Sequence, residues 1–296
     1  MSHPAPMRFK TADHADLPAF TASHDLVFEP KLDGMRCVIV INADIAWAMA
    51  SHGGEMKTST AGPTAWDIAG AFADVASTVT AAFEAETVYL DGEIMSDGNM
   101  WLFDLMTSDD TRTMEERRAR LVSAFPVLTS IHDSLRLVPQ AITPAEKAQL
   151  ASDIYDFNGE GIMIKNRHSV YDWGKRVKHS VKVKFVSDAD CVVMATNVGS
   201  SAKVKTGGAV TAKDNVAVGV YIDGVLTEIA RCSSIGKPDM KVGDVVVVQY
   251  LYANQDTCRL TQPTILRVRD DKTAPDCDDD QLRFVNKNVL YSLELA

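Results

Sequence analysis

Lys31 stands in the string Glu29-Pro30-Lys31-Leu32-Asp33-Gly34-Met35-Arg36, between an apolar run and Asp-Gly, with an arginine five residues on. A lone lysine in this setting is ordinarily a surface residue beside a turn, and short motifs match by chance. A nucleophilic lysine has further needs. Its ammonium must lose a proton near neutral pH, which takes desolvation or neighbouring cations. Lys182 and Lys184, on alternate positions of "HSVKVKFV", supply such cations if the fold brings them close, and they would also neutralise a polyphosphate. Glu160 in "NGEGIMIKNR" offers the carboxylate that a hard Mg²⁺ ion prefers. An attacking amine, phosphate-binding lysines and a metal carboxylate together describe phosphoryl-type transfer. The sequence contains no G-x-x-x-x-G-K-[ST] loop and no serine or cysteine hydrolase elbow.

The elements that must position these residues follow from pattern. "MRCVIVINADIAWAMA" after Gly34 predicts two strands about a polar turn at 42–44, which places Lys31 at the mouth of a hairpin. "GPTAWDIAGAFADVASTVTAAFEA" predicts one helix with Pro63 in its first turn. "TVYLDGEI" and "MWLFDLM" read as strands. Thr113 with Glu116 and Thr143 with Glu146 are capping boxes opening the helices of "TMEERRARLVSAF" and "TPAEKAQLASDIYDF". Beyond residue 187 the texture turns to strands and turns, with Asp223-Gly224 between two alternating segments as a hairpin signal. The expected fold class is α+β: a first domain over 1–186, then a small β-barrel over 187–296 for which the OB-fold is the leading candidate. The Gly/Ser/Lys loop at 199–215 within it reads either as a surface loop or as a basic loop that orders against DNA.

The bulk numbers fit this division. A chain of 296 residues, 46% hydrophobic and 24% charged, suits two globular domains. No apolar run is long enough to span a bilayer, the N-terminus does not read as a secretory signal, and no membrane partner is expected. Five scattered cysteines without C-x-x-C spacing suit a reducing cytoplasm. The net charge of −10 argues against nucleic acid, but its distribution does not. From Lys165 to Lys184 seven basic residues face one acid, Asp172, whereas acids collect in "DDKTAPDCDDD".

"EPKLDGMR", "SHGG", "LDGEI", "WLFDLM", "EGIMIK", "KVK" and "RVRDDK" occur in the order and approximate spacing of ATP-dependent DNA ligases. The chain resembles that family, within the covalent nucleotidyltransferases, from about residue 8 to about residue 278. The resemblance implies an ATP-grasp-like adenylation (nucleotidyltransferase) domain followed by an OB-fold. It also implies sealing of 5′-phosphate/3′-hydroxyl nicks in duplex DNA with ATP and Mg²⁺, Mn²⁺ being a possible substitute. Lys31 would attack the α-phosphate of ATP to form a lysyl–AMP. Glu29 would belong to the cofactor site, Arg36 would contact AMP and the nick phosphate region, and Glu93 would bond the ribose. Phe103 would stack on adenine, Glu160 would serve the metal, and Lys182 and Lys184 would hold the α-phosphate. Arg269, Asp271 and Lys272 match an R-x-D-K segment that would close over ATP.

There are departures. His52 stands where these ligases usually carry Arg, and it cannot form Arg's bidentate fork. Val177 and Ser180 stand where Ser and Trp are usual. About thirty residues precede Lys31, so the expectation is a minimal, monomeric ligase of a bacterial or phage-infected cytoplasm. In such a core Lys203, Lys205 and Lys213 are the candidate extra grip on DNA, beside His52. An RNA ligase, a capping guanylyltransferase and a non-catalytic nucleic-acid-binding protein are the alternatives.

Overall fold

The computed structural model describes residues 3–56, 62–198 and 215–284. Lys203, Lys205 and Lys213 lie outside these described residues. The chain divides into two compact units, Met1–Lys184 and Phe185–Ala296.

The first unit contains strands β1 (Arg8–Thr11), β2 (Leu26–Pro30), β3 (Met35–Asn42), β4 (Ala46–Ala50), β5 (Thr87–Ile94), β6 (Met100–Thr107), β7 (Leu135–Leu137), β8 (Gly161–Asn166) and β9 (Arg176–Lys184). Its helices are α1 (Leu17–Ala22), α2 (Gly62–Ala73), α3 (Ala76–Ala82), α4 (Met114–Ile131) and α5 (Pro144–Asp156). The strands form two sheets, one in the order β1-β9-β8-β2 and one in the order β4-β3-β5-β6-β7. The second sheet carries the main core. Cys37, Ile39 and Ile41 of β3 alternate inward to meet Ile68 and Phe72 of α2 and Leu121 and Leu128 of α4.

Two local expectations change, and a third gains a context. The β3–β4 hairpin forms with Lys31 ahead of its open end, but β2 pairs with β8 in one sheet while β3 pairs with β4 and β5 in the other. Residues 31–34 therefore pass from sheet to sheet. The single helix expected after residue 62 breaks at Asp74 and Val75 into α2 and α3. Phe72 of α2 and Val79 of α3 both bury in the same core. Helix α4 runs through Pro126 to Ile131. Burial of Leu121 and Leu128, one heptad apart, outweighs the one hydrogen bond that proline removes. Both capping boxes form as expected.

The second unit is an antiparallel sheet of β10 (Ser187–Ala195), β11 (Asn215–Ile222), β12 (Val225–Ser233), β13 (Val245–Tyr250) and β14 (Thr264–Arg269). Asp223 and Gly224 both take positive φ, 49° and 78°, the geometry of a two-residue type I′ turn between β11 and β12. The order is β12-β11-β10-β13-β14. Among the described residues β12 and β14 remain edges, so the expected barrel closure is not made by strand pairing.

Two glycines let the first unit's motifs converge. A Cβ on Gly34 would lie 2.4 Å from the carbonyl oxygen of Ile94, at the end of β5. A Cβ on Gly161 would lie 2.2 Å from the carbonyl oxygen of Val183 on β9, and Gly161 has φ +147°. Only a residue without a side chain fits either approach. Gly161→Ala is accordingly expected to destabilise the protein by more than about 1 kcal/mol, read as a lowered urea midpoint with unchanged slope.

Candidate active site

A cavity of about 230 Å³ opens between the two sheets of the first unit, with Glu29, Lys31, Arg36, Glu93, Phe103 and Lys182 in its lining. The backbone N–H of Lys31 donates to the carbonyl of Gly161 at 2.8 Å. This bond brings the crossing segment against the start of β8, and the Lys31 ammonium meets the Glu160 carboxylate at 2.5 Å. In the β8–β9 register Gly161 faces Lys184 and Met163 faces Lys182, so both lysines are carried to the same end of the sheet. Burial lowers the pKa of Lys182, and the positive charges of Lys31, Lys184 and Arg176 push it further down. Lys184 is also lowered by burial, against the attraction of Glu160. Burial raises the pKa of Glu160, while Lys31 pulls the other way. Ser180 on β9 is buried, and its hydroxyl accepts from the Asn166 backbone at 3.1 Å.

Glu29 on β2 is 2% exposed. Its carboxylate accepts from Gln140 Nε2 at 3.0 Å and pairs with Lys165 Nζ at 2.6 Å. Phe103 on β6 and Met163 on β8 line the cavity from the two sheets, which is the arrangement of a slot for a flat ring. Lys165 Nζ lies 4.7 Å from the Phe103 ring centre, and the Arg36 guanidinium lies 5.5 Å from it.

Arg36 is largely committed. It grips Asp91 with Nε at 3.0 Å and Nη2 at 2.7 Å, donates to the Met7 carbonyl at 2.6 Å, and reaches the Tyr171 hydroxyl at 3.2 Å. Tyr171 donates to Asp91 at 2.7 Å and accepts from the backbone N–H of Met7 at 3.2 Å. The fully buried phenol is held neutral far beyond its ordinary range, first by burial and then by the Asp91 charge. Opposite Asp91 in the β5–β6 register is Asp104, gripped by Arg117 at 2.8 and 2.9 Å. Asp91, Asp104, Arg117, Tyr171, Gln140 and Lys165 are therefore parts of the site that motif reading had not assigned. A signal existed for the first: Asp91 and Glu93 put two acids at alternate positions of an otherwise apolar strand.

The remaining candidates lie elsewhere in the two units. His52 is exposed on the turn at 51–54. Arg269 in the second unit pairs with Asp190 through two contacts of 3.2 Å and with Asp271 at 2.5 Å, and Lys272 reaches Asp190 at 2.6 Å.

Residues 96–184 match the family model described as the ATP dependent DNA ligase domain. A search of curated proteins finds no match to the sequence. Among solved structures, "Pmar-Lig_PreS3" superposes with a TM-score of 0.65 at 16% identity, over 90% of this chain and 67% of that one. A Lig E DNA ligase, reported as binding DNA with a minimal scaffold, gives 0.59 at 15% identity over 90% and 100%. The ATP-dependent DNA ligase of bacteriophage T7, in complex with ATP, gives 0.50 at 12% identity over 89% and 98%. These likenesses show a shared fold. The domain match falls within the first unit and makes residues 96–184 similar to part of an ATP-dependent DNA ligase domain. Among the described residues no helix is long and apolar enough to cross a membrane.

Glu93 supplies a pH signature. Burial pushes its carboxyl from the ordinary 4.5 up to about 7, against the pull of Lys31 and Arg36. Since the folded pKa is raised, the protonated form is favoured below pH 4.5 at full strength, and that contribution is lost as pH climbs through about 7. Stability is expected to fall by up to about 3 kcal/mol across this interval from Glu93 alone. Glu93→Gln should remove that part of the slope in denaturation curves taken from pH 4.5 to pH 8.

Proposed function

We propose that the protein seals 5′-phosphate/3′-hydroxyl nicks in duplex DNA, as a monomer, through an AMP carried on Lys31. The observation that carries this reading is the Lys31 amine in a cavity shared with Lys182, Phe103 and Glu93, 2.5 Å from Glu160. In the first step Lys31 Nζ would bond to the α-phosphorus of ATP while the bond to the bridging oxygen breaks and pyrophosphate leaves. The nick's 5′-phosphate would then take the AMP, and the 3′-hydroxyl would displace it to close the strand.

Each residue has a task in this scheme. Adenine would occupy the slot between Phe103 and Met163, with Glu29 held by Gln140 and Lys165 to receive its amino group. Glu93 would bond the ribose. Lys182 and Lys184, already disfavoured as paired cations by burial and mutual repulsion, would gain from a phosphate between them. Arg36, with most of its donors committed, would fix Asp91 and the face of Phe103, leaving one Nη1 hydrogen to offer the nucleotide.

Among the described residues no three ligating side chains cluster. That donor set still fits Mg²⁺, which is commonly held by one or two carboxylates together with substrate phosphates. Glu160 would hold it, with Asp33 close enough to affect the Glu160 titration. Bound there, the ion would draw charge from the α-phosphate. Taking Glu160 away from Lys31 would also free the amine.

In the second unit, the five-stranded sheet supports the OB-fold reading of 187–296, and Arg269, Asp271 and Lys272 would close over the pyrophosphate. To reach it, Arg269 and Lys272 would exchange Asp190 for phosphate oxygens, a like-for-like swap of anions that suits a closing lid. His52 and the lysines at 203, 205 and 213 would face DNA.

Incubation with α-labelled ATP and Mg²⁺ tests the scheme. The expected result is a covalent label on the wild type, none on Lys31→Ala, and discharge into sealed product on adding nicked duplex. A label that persists in Lys31→Ala, or one discharged only by nicked RNA, would refute the reading.

A further inference from the structure

A short segment, Val138-Pro139-Gln140-Ala141, joins the two walls of the slot between Phe103 and Met163. At one end the backbone N–H of Val138 donates to the carbonyl of Leu102 at 3.0 Å, next to Phe103 on β6. At the other end Ala141 and Phe28 exchange backbone hydrogen bonds at 2.9 and 3.0 Å. Phe28 precedes Glu29, which is the register partner of Met163 on the opposite wall. Arg118 on α4 donates to the Val138 carbonyl at 2.6 Å, and Pro139 restricts the backbone between the two anchors. Gln140 is thereby set beside Glu29, its Nε2 3.0 Å from Oε1, while Lys165 Nζ holds Oε2 at 2.6 Å. Each oxygen of this buried carboxylate has its own donor, and two donors on two oxygens fix the plane in which it lies.

We infer that Gln140 is the positioning residue that sets base selectivity, adenine over guanine, by holding the Glu29 carboxylate in one orientation. This rests on the reading proposed above, in which Lys31 takes AMP from ATP. An ionised carboxylate only accepts hydrogen bonds. Adenine offers an amino group at position 6 where guanine offers a carbonyl, so a fixed carboxylate at that edge accepts from one and repels the other. A carboxylate free to turn is different. Guanine's N1–H and 2-amino group are adjacent donors, and two carboxylate oxygens can accept from both at once. Glu29 therefore discriminates only while it cannot swing. Lys165 by itself would leave a pivot about Oε2, and the Gln140 amide on the other oxygen removes it. A carboxylate has about four lone-pair sites, so a base amino group can be accepted without displacing either holder. The other Nε2 contact of Gln140, Met114 Sδ at 3.9 Å, is to a weak acceptor, so the amide's strong bond is the one to Glu29.

The test is covalent labelling of the full chain by α-labelled ATP, GTP and purine riboside triphosphate, the last lacking the 6-amino group. Each nucleotide is kept limiting, so that the labelling rates report kcat/KM. Wild type is compared with Gln140→Ala and with Gln140→Glu, which keeps size and shape but turns the donor into an acceptor. Wild type should take ATP well ahead of both competitors. Each variant should shrink the ATP-to-GTP and ATP-to-purine ratios by roughly tenfold or more. A folding or packing defect would slow all three nucleotides alike and leave the ratios where they were, which would overturn the inference. Ratios kept in both Gln140 variants but lost in Glu29→Gln would leave the base edge to Glu29 alone, and would overturn it as well. A wild type that takes no label from any of the three would instead remove the reading on which the role of Gln140 rests.

Discussion

The grip of Arg36 on Asp91 organises the first unit. Both residues belong to the sheet of β3 and β5, yet the same guanidinium donates to the carbonyl of Met7, and the same carboxylate accepts from Tyr171. Met7 leads into β1 and Tyr171 precedes β9, so the pair ties one sheet to the other across the cavity. Asp91 is fully buried, and a buried carboxylate left without its cation costs about 3–5 kcal/mol. The second pair, Arg117 with Asp104, repeats the device one strand over, with the Arg117 guanidinium 5.6 Å from the Tyr171 ring centre. Two acids on adjacent strands would repel in a dry interior. Each having its own arginine makes the arrangement tenable, and the phenol between them fixes its geometry.

Rigid walls matter because the charged groups around Lys31 are individually ill at ease. Glu93 and Glu160 are carboxylates that burial pushes toward protonation, and Lys182 and Lys184 are ammonium groups that burial pushes toward neutrality. Alone, each would be a liability. Set around Lys31 they form a field of alternating sign that the proposed triphosphate and its metal would enter at little reorganisation cost. The same logic reconciles a net charge of −10 with the proposed nucleic-acid substrate. The basic run from Lys165 to Lys184 folds into β8 and β9, the inner strands of their sheet, and the segment between them, so positive charge is gathered there while acids are carried elsewhere.

Much of this was readable in the residues. The paired strands after Gly34, both capping boxes, the Asp223-Gly224 turn and the ligase-like strings all rest on local chemistry, where neighbours in sequence are neighbours in space. The departures from local pattern lie in the longer-range arrangement. The helix after residue 62 divides at Asp74 and Val75, and both pieces enter one core. Lys31 lies on a crossing between sheets because β2 finds β8, more than a hundred residues on. Proline at 126 fails to end α4 because Leu128 has a core to enter.

The sequence by itself determined the chemical inventory: which amine could attack, which lysines and carboxylates could attend it, and which glycines could permit close approach. Residue type sets those properties at any position. Tertiary structure alone decided how the charges were paired. Arg36 goes to Asp91, Glu29 to Lys165 and Lys31 to Glu160, while Arg8 and Arg176 become register partners that both line the cavity. Pairing is a matter of ångström-scale distance between residues far apart in the chain, and the Coulomb energy that selects partners acts only after strand register has brought them together.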